Sequence, residues 1–307
     1  MSPSLAKEVL AVQAPVNNHD MVGYFMRTVW DDKGAIGAMD HMVIWGKIHR
    51  VIYQLNREPF LSQAGDIVSG NTNELVLSLV SACSFTSKWQ GRASVPLLNK
   101  ERNEFEASFF PLIRHFVADM VLPSLYGAAF MDIYANISAE MFEFDANFHL
   151  FLMGLPAWIP ISGLKESAAA RARVKSALTD FHNALVAKRQ GKTIDSRWGD
   201  LGDVSSVMED RVHLWEEAVG EHSSKEACAS SHAFLLWVTL INANVIVFWL
   251  LFHIYQDPSL VAAIRAEASP FVQRREQQGT VKLDWSGIRT KTPLLQSAFL
   301  ETMRLYT

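Results

Sequence analysis

The chain has 307 residues, about half of them apolar, with 28 Lys and Arg against 32 Asp and Glu for a formal net charge of −4. That is enough apolar material for one large domain with a sizeable core. The charge leaves no electrostatic footprint for nucleic acid, and no run of like charges suggests a tail. Cys83 and Cys228 are far apart and form no CxxC pair, metal-ligand spacing or disulfide framework, so a reducing compartment is the expectation.

The N-terminal stretch lacks a basic start followed by an apolar core, so neither a signal peptide nor an anchor is expected. Residues Ser4–Ala14 read as a short helix, Asn17–Asp20 as a loop, and Asp31–Gly37 as a turn-rich stretch. His41–Leu55 has helical spacing, with Met42, Trp45, Ile48, Ile52 and Leu55 at three- and four-residue steps. Asp66–Trp89 is a long mixed segment and Gln90–Glu101 a polar linker. From Asn103 to Met131 an apolar helical pattern returns; Pro123 is expected to bend or break it and Gly127 to mark its far end. Phe142–Leu155 is helical and Trp158–Gly163 a loop. Lys165–Arg189 reads as an amphipathic helix with Ala168, Ala172, Val174, Leu178, Phe181 and Leu185 inward and its Arg and Lys outside. A hydrophilic connector, Gln190–Asp203, precedes a helix over Val204–Gly220.

The longest apolar run, Phe234–Tyr255, holds no Asp, Glu, Lys or Arg, but carries Asn242, Asn244 and His253. As a helix it would extend about 33 Å at about 1.5 Å per residue. Two readings stay open: a buried helix of a large all-α core, or a transmembrane span. Amides are costly in either setting unless they meet partners, water or a ligand. Asp257-Pro258 ends the run and starts a helix over Ser259–Arg275 that Pro270 interrupts. Glu276–Lys282 is a polar loop, Asp284–Ile288 a helical turn, and Thr292–Thr307 the last helix. There is no alternating strand of five or more residues and no internal repeat, so the fold class is mainly α. In the last helix Glu301 and Arg304 are three residues apart and can pair on one face; the apolar neighbours Leu300, Met303 and Leu305 predict a buried pair that fixes a junction. Both cysteines read as small buried or half-buried side chains.

The tail PLLQSAFLETMRLYT and the run INANVIVFWLLFHIYQDPSLVAAIRAE together resemble the cytochrome P450 family, the haem-thiolate monooxygenases. Phe248-Trp249 and Asp257-Pro258 resemble the branch of prostacyclin synthase and the sterol 7-hydroxylases, and FEFDANFHLFLMGLPAW resembles the helices that roof the substrate channel in fungal members. The resemblance implies a partial P450 fold in a single domain over 1–307, with haem as cofactor. It also implies a reductase as partner, and one oxygen atom inserted into an apolar, terpenoid or steroid-like molecule. Asn242 and Ala243 then occupy oxygen-side positions, Ala243 standing where many members have a proton-delivering Thr. Glu301 and Arg304 match the family's structural pair, and His49-Arg50 the basic residues that hold a haem propionate, against the alternative of a surface basic pair. The family's axial Cys sits in a Gly-rich loop downstream of the Glu-x-x-Arg helix, and neither Cys83 nor Cys228 is in such a loop. The expectation is therefore a P450 lacking both ends, without axial metal ligand, N-terminal anchor or turnover, cytoplasmic or associated with the endoplasmic reticulum. The alternatives are an α-helical interaction protein and a single-span membrane protein.

Overall fold

The computed structural model describes residues 19–32, 41–55, 57–80, 97–99, 104–218, 224–275 and 280–306. The expected helix at Ser4–Ala14, the turn over 33–37, the end of the Asp66–Trp89 segment from 81 on, with Cys83, and the linker Gln90–Glu101 apart from 97–99 lie outside these residues. The fold class is mainly α, as expected. The first described helix, α1 (His19–Val29), covers residues assigned in part to a loop. It is followed by α2 (His41–Gln54) and α3 (Phe60–Val80). A minimal antiparallel pair, β1 (Leu97–Asn99) with β2 (Glu104–Phe105), leads into α4 (Phe109–Ile133).

Two short helices, α5 (Ile137–Asp145) and α6 (Phe148–Leu152), replace the single helix expected over Phe142–Leu155. Then come α7 (Leu164–Arg189), α8 (Ser206–Ala218) and the long α9 (Lys225–Gln256). The chain continues through α10 (Pro258–Ala268), the antiparallel strands β3 (Val272–Arg275) and β4 (Thr280–Leu283), α11 (Trp285–Lys291) and α12 (Pro293–Tyr306). The helix expected to reach Arg275 thus stops at Ala268. Pro270 ends it in a single 3₁₀ turn, and the supposed loop supplies β4, with Val272 opposite Leu283.

The core is built on α7, which packs against α5, α8 and α9, while α4 packs against α3 and α9. Tyr126, Phe130, Phe181, Phe144, Trp30 and Trp198 are its large buried side chains, each removing about 1.5–3 kcal/mol worth of apolar surface from water. The charged residues of α7 do not all face outward. Arg171 is buried and donates from Nη1 to the carbonyl of Val29 at 2.7 Å, and Lys175 Nζ donates to the carbonyl of Trp30 at 2.9 Å. These cations satisfy carbonyls at the end of α1, where the helix dipole favours positive charge. Ala172, expected inward, is exposed.

The break in α4 is at Gly127, not at Pro123. Gly127 has φ 77° and ψ 170°, a conformation open only to glycine. Ala128 N–H donates to Asp203 Oδ2 at 2.7 Å, so a carboxylate from the connector caps the restarted helix. Leu125 O accepts from both the N–H and the hydroxyl of Ser205, which closes the carbonyl side of the same break.

Candidate functional site

Helix α9 begins nine residues before the apolar run that announced it. Ser224 caps it by accepting from Ala227 N–H at 3.1 Å. Every residue from Ala227 to Ala233 is buried, small side chains letting α7 close on the helix. Beyond Leu240 the pattern changes: of the following residues only Asn244, Ile246 and Ile254 are buried, and Phe252 and Tyr255 are exposed. One end of α9 is core, and the other presents a broad apolar face.

That face is organised by aromatic contacts. Phe248 lies against Phe109 and Phe110 of α4, with ring centroids at 5.3 and 5.2 Å. Trp249 stacks on Tyr306 of α12 at 4.3 Å with planes 3° apart, and the Tyr306 hydroxyl meets His253 Nε2 at 2.9 Å. The Phe248-Trp249 motif and the Leu305-Tyr306 end of the Glu-x-x-Arg segment are thereby in direct contact. The start of α12 is fixed by Glu267 of α10, whose carboxylate accepts from Leu294 and Leu295 N–H at 2.8 and 3.1 Å. Arg304 donates in two-pronged fashion to Glu301, at 2.7 and 2.6 Å. The pair forms as its spacing implied, but the expected burial is not found: the side chains are 56% and 66% exposed.

Asn242 is exposed on the middle of α9 and Ala243 half-buried. Asn244, which follows Ala243 directly, is instead 2% exposed, and neither its amide nitrogen nor its oxygen has a hydrogen-bond partner among the described residues. An orphaned amide of this kind costs about 1–3 kcal/mol. Arg50 is exposed on α2; the side chain of His49 lies outside the described residues. An axial thiolate does not come from Cys228, which lies about 21 Å from Asn242 along the helix at about 1.5 Å per residue. The Cys228 thiol is buried, and burial pushes its pKa up to about 12.

A second polar cluster escaped the sequence reading. His182 of α7 faces Cys228 and His232 of α9: Nδ1 is 3.1 Å from His232 Nε2 and 3.6 Å from Cys228 Sγ. Arg211 of α8 is fully buried and donates from Nε to His232 Nδ1 at 3.2 Å and from Nη2 to the Ser231 carbonyl and hydroxyl. Since guanidinium only donates, the tautomers follow. His232 carries its proton on Nε2 and donates to His182 Nδ1, and His182 donates from Nε2 to Glu216 Oε1 at 3.0 Å. Burial, then Arg211, hold His232 well below the ordinary imidazole pKa. Burial also lowers Arg211 to about 10. The cluster lines a cavity of about 280 Å³. Cys228 and His232 are four residues apart, hence on one helical face; the spacing carries no signal in sequence because the apolar run that marks the helix begins only at Phe234.

No protein-family profile matches the chain. It is 23% identical over 218 residues to a cytochrome P450 monooxygenase, nodJ, of Hypoxylon pulicicidum, covering 68% of this chain and 38% of that protein. Over 206 residues it is 23% identical to the 25-hydroxycholesterol 7-alpha-hydroxylase of Rattus norvegicus, covering 65% of this chain and 45% of that enzyme. It is 24% identical to cytochrome P450 7B1 of Mus musculus, covering 62% and 34%. The chain thus spans less than half the length of the curated relatives it matches. With a helical core, a long apolar helix, and a Glu-x-x-Arg helix locked to it through Trp249 and Tyr306, the chain is cytochrome P450-like over about two thirds of its length.

Proposed function

We propose that these 307 residues are the substrate- and oxygen-side helical part of a haem-thiolate monooxygenase whose reaction inserts one oxygen atom from O₂ into an apolar small molecule of terpenoid or steroid size, with a reductase as electron donor. The observation that carries the reading is the bare apolar half of α9, with Asn242 and Ala243 on it and the buried, unpartnered Asn244 behind it. The haem supplies the oxygen chemistry in such enzymes, and the protein supplies position and exclusion of water. Here Val245, Phe248 and Trp249 exclude water, and Asn242 offers an amide donor and acceptor. Ala243 has no hydroxyl with which to hold or pass a proton. Trp249 against Tyr306 and the Glu267 carboxylate hold α12 in place, and Arg50 is the remaining candidate for a propionate contact. Because Cys228 is committed to another cluster and Cys83 lies in no Gly-rich loop, this stretch does not turn over by itself.

Optical titration of the purified chain with haem, followed by reduction under carbon monoxide, tests both parts. The expected result is haem uptake without a thiolate-type band. A strong thiolate-type band would overturn the claim of inactivity, and no uptake at all would overturn the cofactor reading.

A second reading is supported by exposed Phe299, Leu300 and Leu305 on α12 and by exposed Phe252 and Tyr255 on α9, the helix it packs against. A partner protein covering that apolar surface would make the chain an interaction module. Concentration-dependent sedimentation decides between them, since a stable monomer argues against the partner. Among the described residues two helices, Phe109–Ile133 and Lys225–Gln256, are long and apolar enough to cross a membrane. The packing of buried Ser230, Ser231 and His232 against the bundle favours the core reading for the second. The loop after α6 projects Trp158, 82% exposed, with Met153 and Ile161 near it in sequence, which supports contact with a membrane surface over a free cytoplasmic location.

A further inference from the structure

We propose that His182, Cys228 and His232 form a binding site for a thiophilic d¹⁰ metal ion, Cu⁺ or Zn²⁺, at the junction of α7 with the first turns of α9. The three donor atoms lie within 4.8 Å of one another, and all three residues are buried. A metal with N ligands at about 2.0–2.1 Å and S at about 2.3 Å needs its donors about 3.3–3.7 Å apart. The observed separations of 3.1 Å for the two imidazole nitrogens and 3.6 Å from Sγ to His182 Nδ1 fit that requirement with small adjustments.

The surroundings are those of a metal site in two further respects. His182 gives its second nitrogen's proton to the Glu216 carboxylate, which turns the Nδ1 lone pair toward the centre of the cluster and raises its basicity. The 280 Å³ cavity, bounded also by Thr179, Asn183 and Lys225, leaves an entry path and a free coordination position. The site is about 15 Å along α9 from Asn242, at about 1.5 Å per residue, so it is separate from the face proposed for haem and does not depend on that reading.

Proton balance specifies what binding must change. One proton leaves with the Cys228 thiol becoming thiolate. The proton on His232 Nε2 moves to Nδ1, so Arg211 Nε must give up its bond there while Nη2 keeps Ser231. A Cu⁺ ion with one thiolate adds no net charge to the buried cluster; Zn²⁺ adds one positive charge, which Glu216 offsets. Arg211 is therefore the competitor of the metal. Replacing it by Gln supplies a carbonyl that can accept from His232 Nδ1–H.

The test is titration of the full chain, in a Cys83→Ser background, with Zn²⁺ and separately with Cu⁺ against a chromophoric chelator, with Co²⁺ as an optical probe of sulfur ligation. One ion per chain is expected, with a sulfur-to-cobalt charge-transfer band. Cys228→Ser should remove the band and lower affinity by at least about 100-fold, and Glu216→Gln should lower it about 10-fold. Arg211→Gln should raise affinity, a change that a purely structural role for Arg211 would not produce. Circular dichroism on each variant separates lost ligation from lost folding. Absence of stoichiometric binding of either ion by the parent chain, or binding that Cys228→Ser and Glu216→Gln leave unchanged, would overturn the site.

Discussion

Replacing Gly127 by Ala tests how α4 is broken and restarted. The φ of 77° with ψ of 170° is closed to alanine at a strain of about 1–3 kcal/mol. The new Cβ would also press on the Asp203 carboxylate, 3.0 Å from its Cγ and nearer to Oδ1 than real Cβ contacts come. Asp203 must then move, and its bond from Ala128 N–H is lost, a cap worth about 0.5–2 kcal/mol. The expected destabilisation is about 2–5 kcal/mol, read from urea unfolding followed by far-ultraviolet circular dichroism. The informative variant is the pair. Asp203→Ala alone removes the cap, and after that Gly127→Ala has no carboxylate to displace. The double variant should therefore be less destabilised than the sum of the singles by about the value of one cap, roughly 1 kcal/mol. A single Gly127→Ala variant within about 0.5 kcal/mol of the parent, or strictly additive singles, would refute the account of the break.

Asn244→Leu removes the orphaned amide and should stabilise the isolated chain by about 1–3 kcal/mol in the same assay, while weakening haem uptake in the optical titration; a loss of stability would mean the amide is satisfied. Asp257 caps α10 by accepting from Ser259 and Leu260 N–H, and the Ser259 hydroxyl bond first, then these backbone bonds, lower its pKa. Its contribution is therefore present above the unfolded carboxylate value near 3.8 and is lost as pH falls through the lower folded value. Asp257→Asn should lower stability slightly at neutral pH, where the charge contributes, leave it unchanged in acid, and so flatten the acid limb of the thermal-unfolding profile. Glu301→Gln breaks an exposed pair in water and should leave the melting temperature unmoved; a clear drop would show that the pair holds α12 in place.

Much of the helical order was legible because apolar residues recur at helical steps and because Asp-Pro and Gly mark the stops. His41–Leu55, Lys165–Arg189 and Thr292–Thr307 were each placed within a residue or two of α2, α7 and α12. The failures have physical causes. Helix α1 begins in a polar Asn-Asn-His-Asp run whose helicity depends on the tertiary contacts of Trp30 with Phe144 and of Val29 with Arg171. The strands β3 and β4 are four residues each, too short for alternation to be visible, and each is stable only as the other's partner. Charge in an amphipathic pattern points to solvent, whereas the buried Arg171 fork serves the end of another helix. The His182 cluster draws its members from three helices, and no periodicity within one segment reveals such a meeting.

The unequal burial along α9 also sets how this one helix should breathe. Amides in its first turns, locked among Ala227–Ala233 at the centre of the bundle, can exchange with solvent deuterium only through opening of the whole domain. Those beyond Leu240, covered on one side only, can exchange through openings confined to the α9–α12 seam. A single unbroken helix would then report two free energies, and whatever comes to lie on its bare half would be detected first as a slowing of exchange there, with the opposite end unchanged.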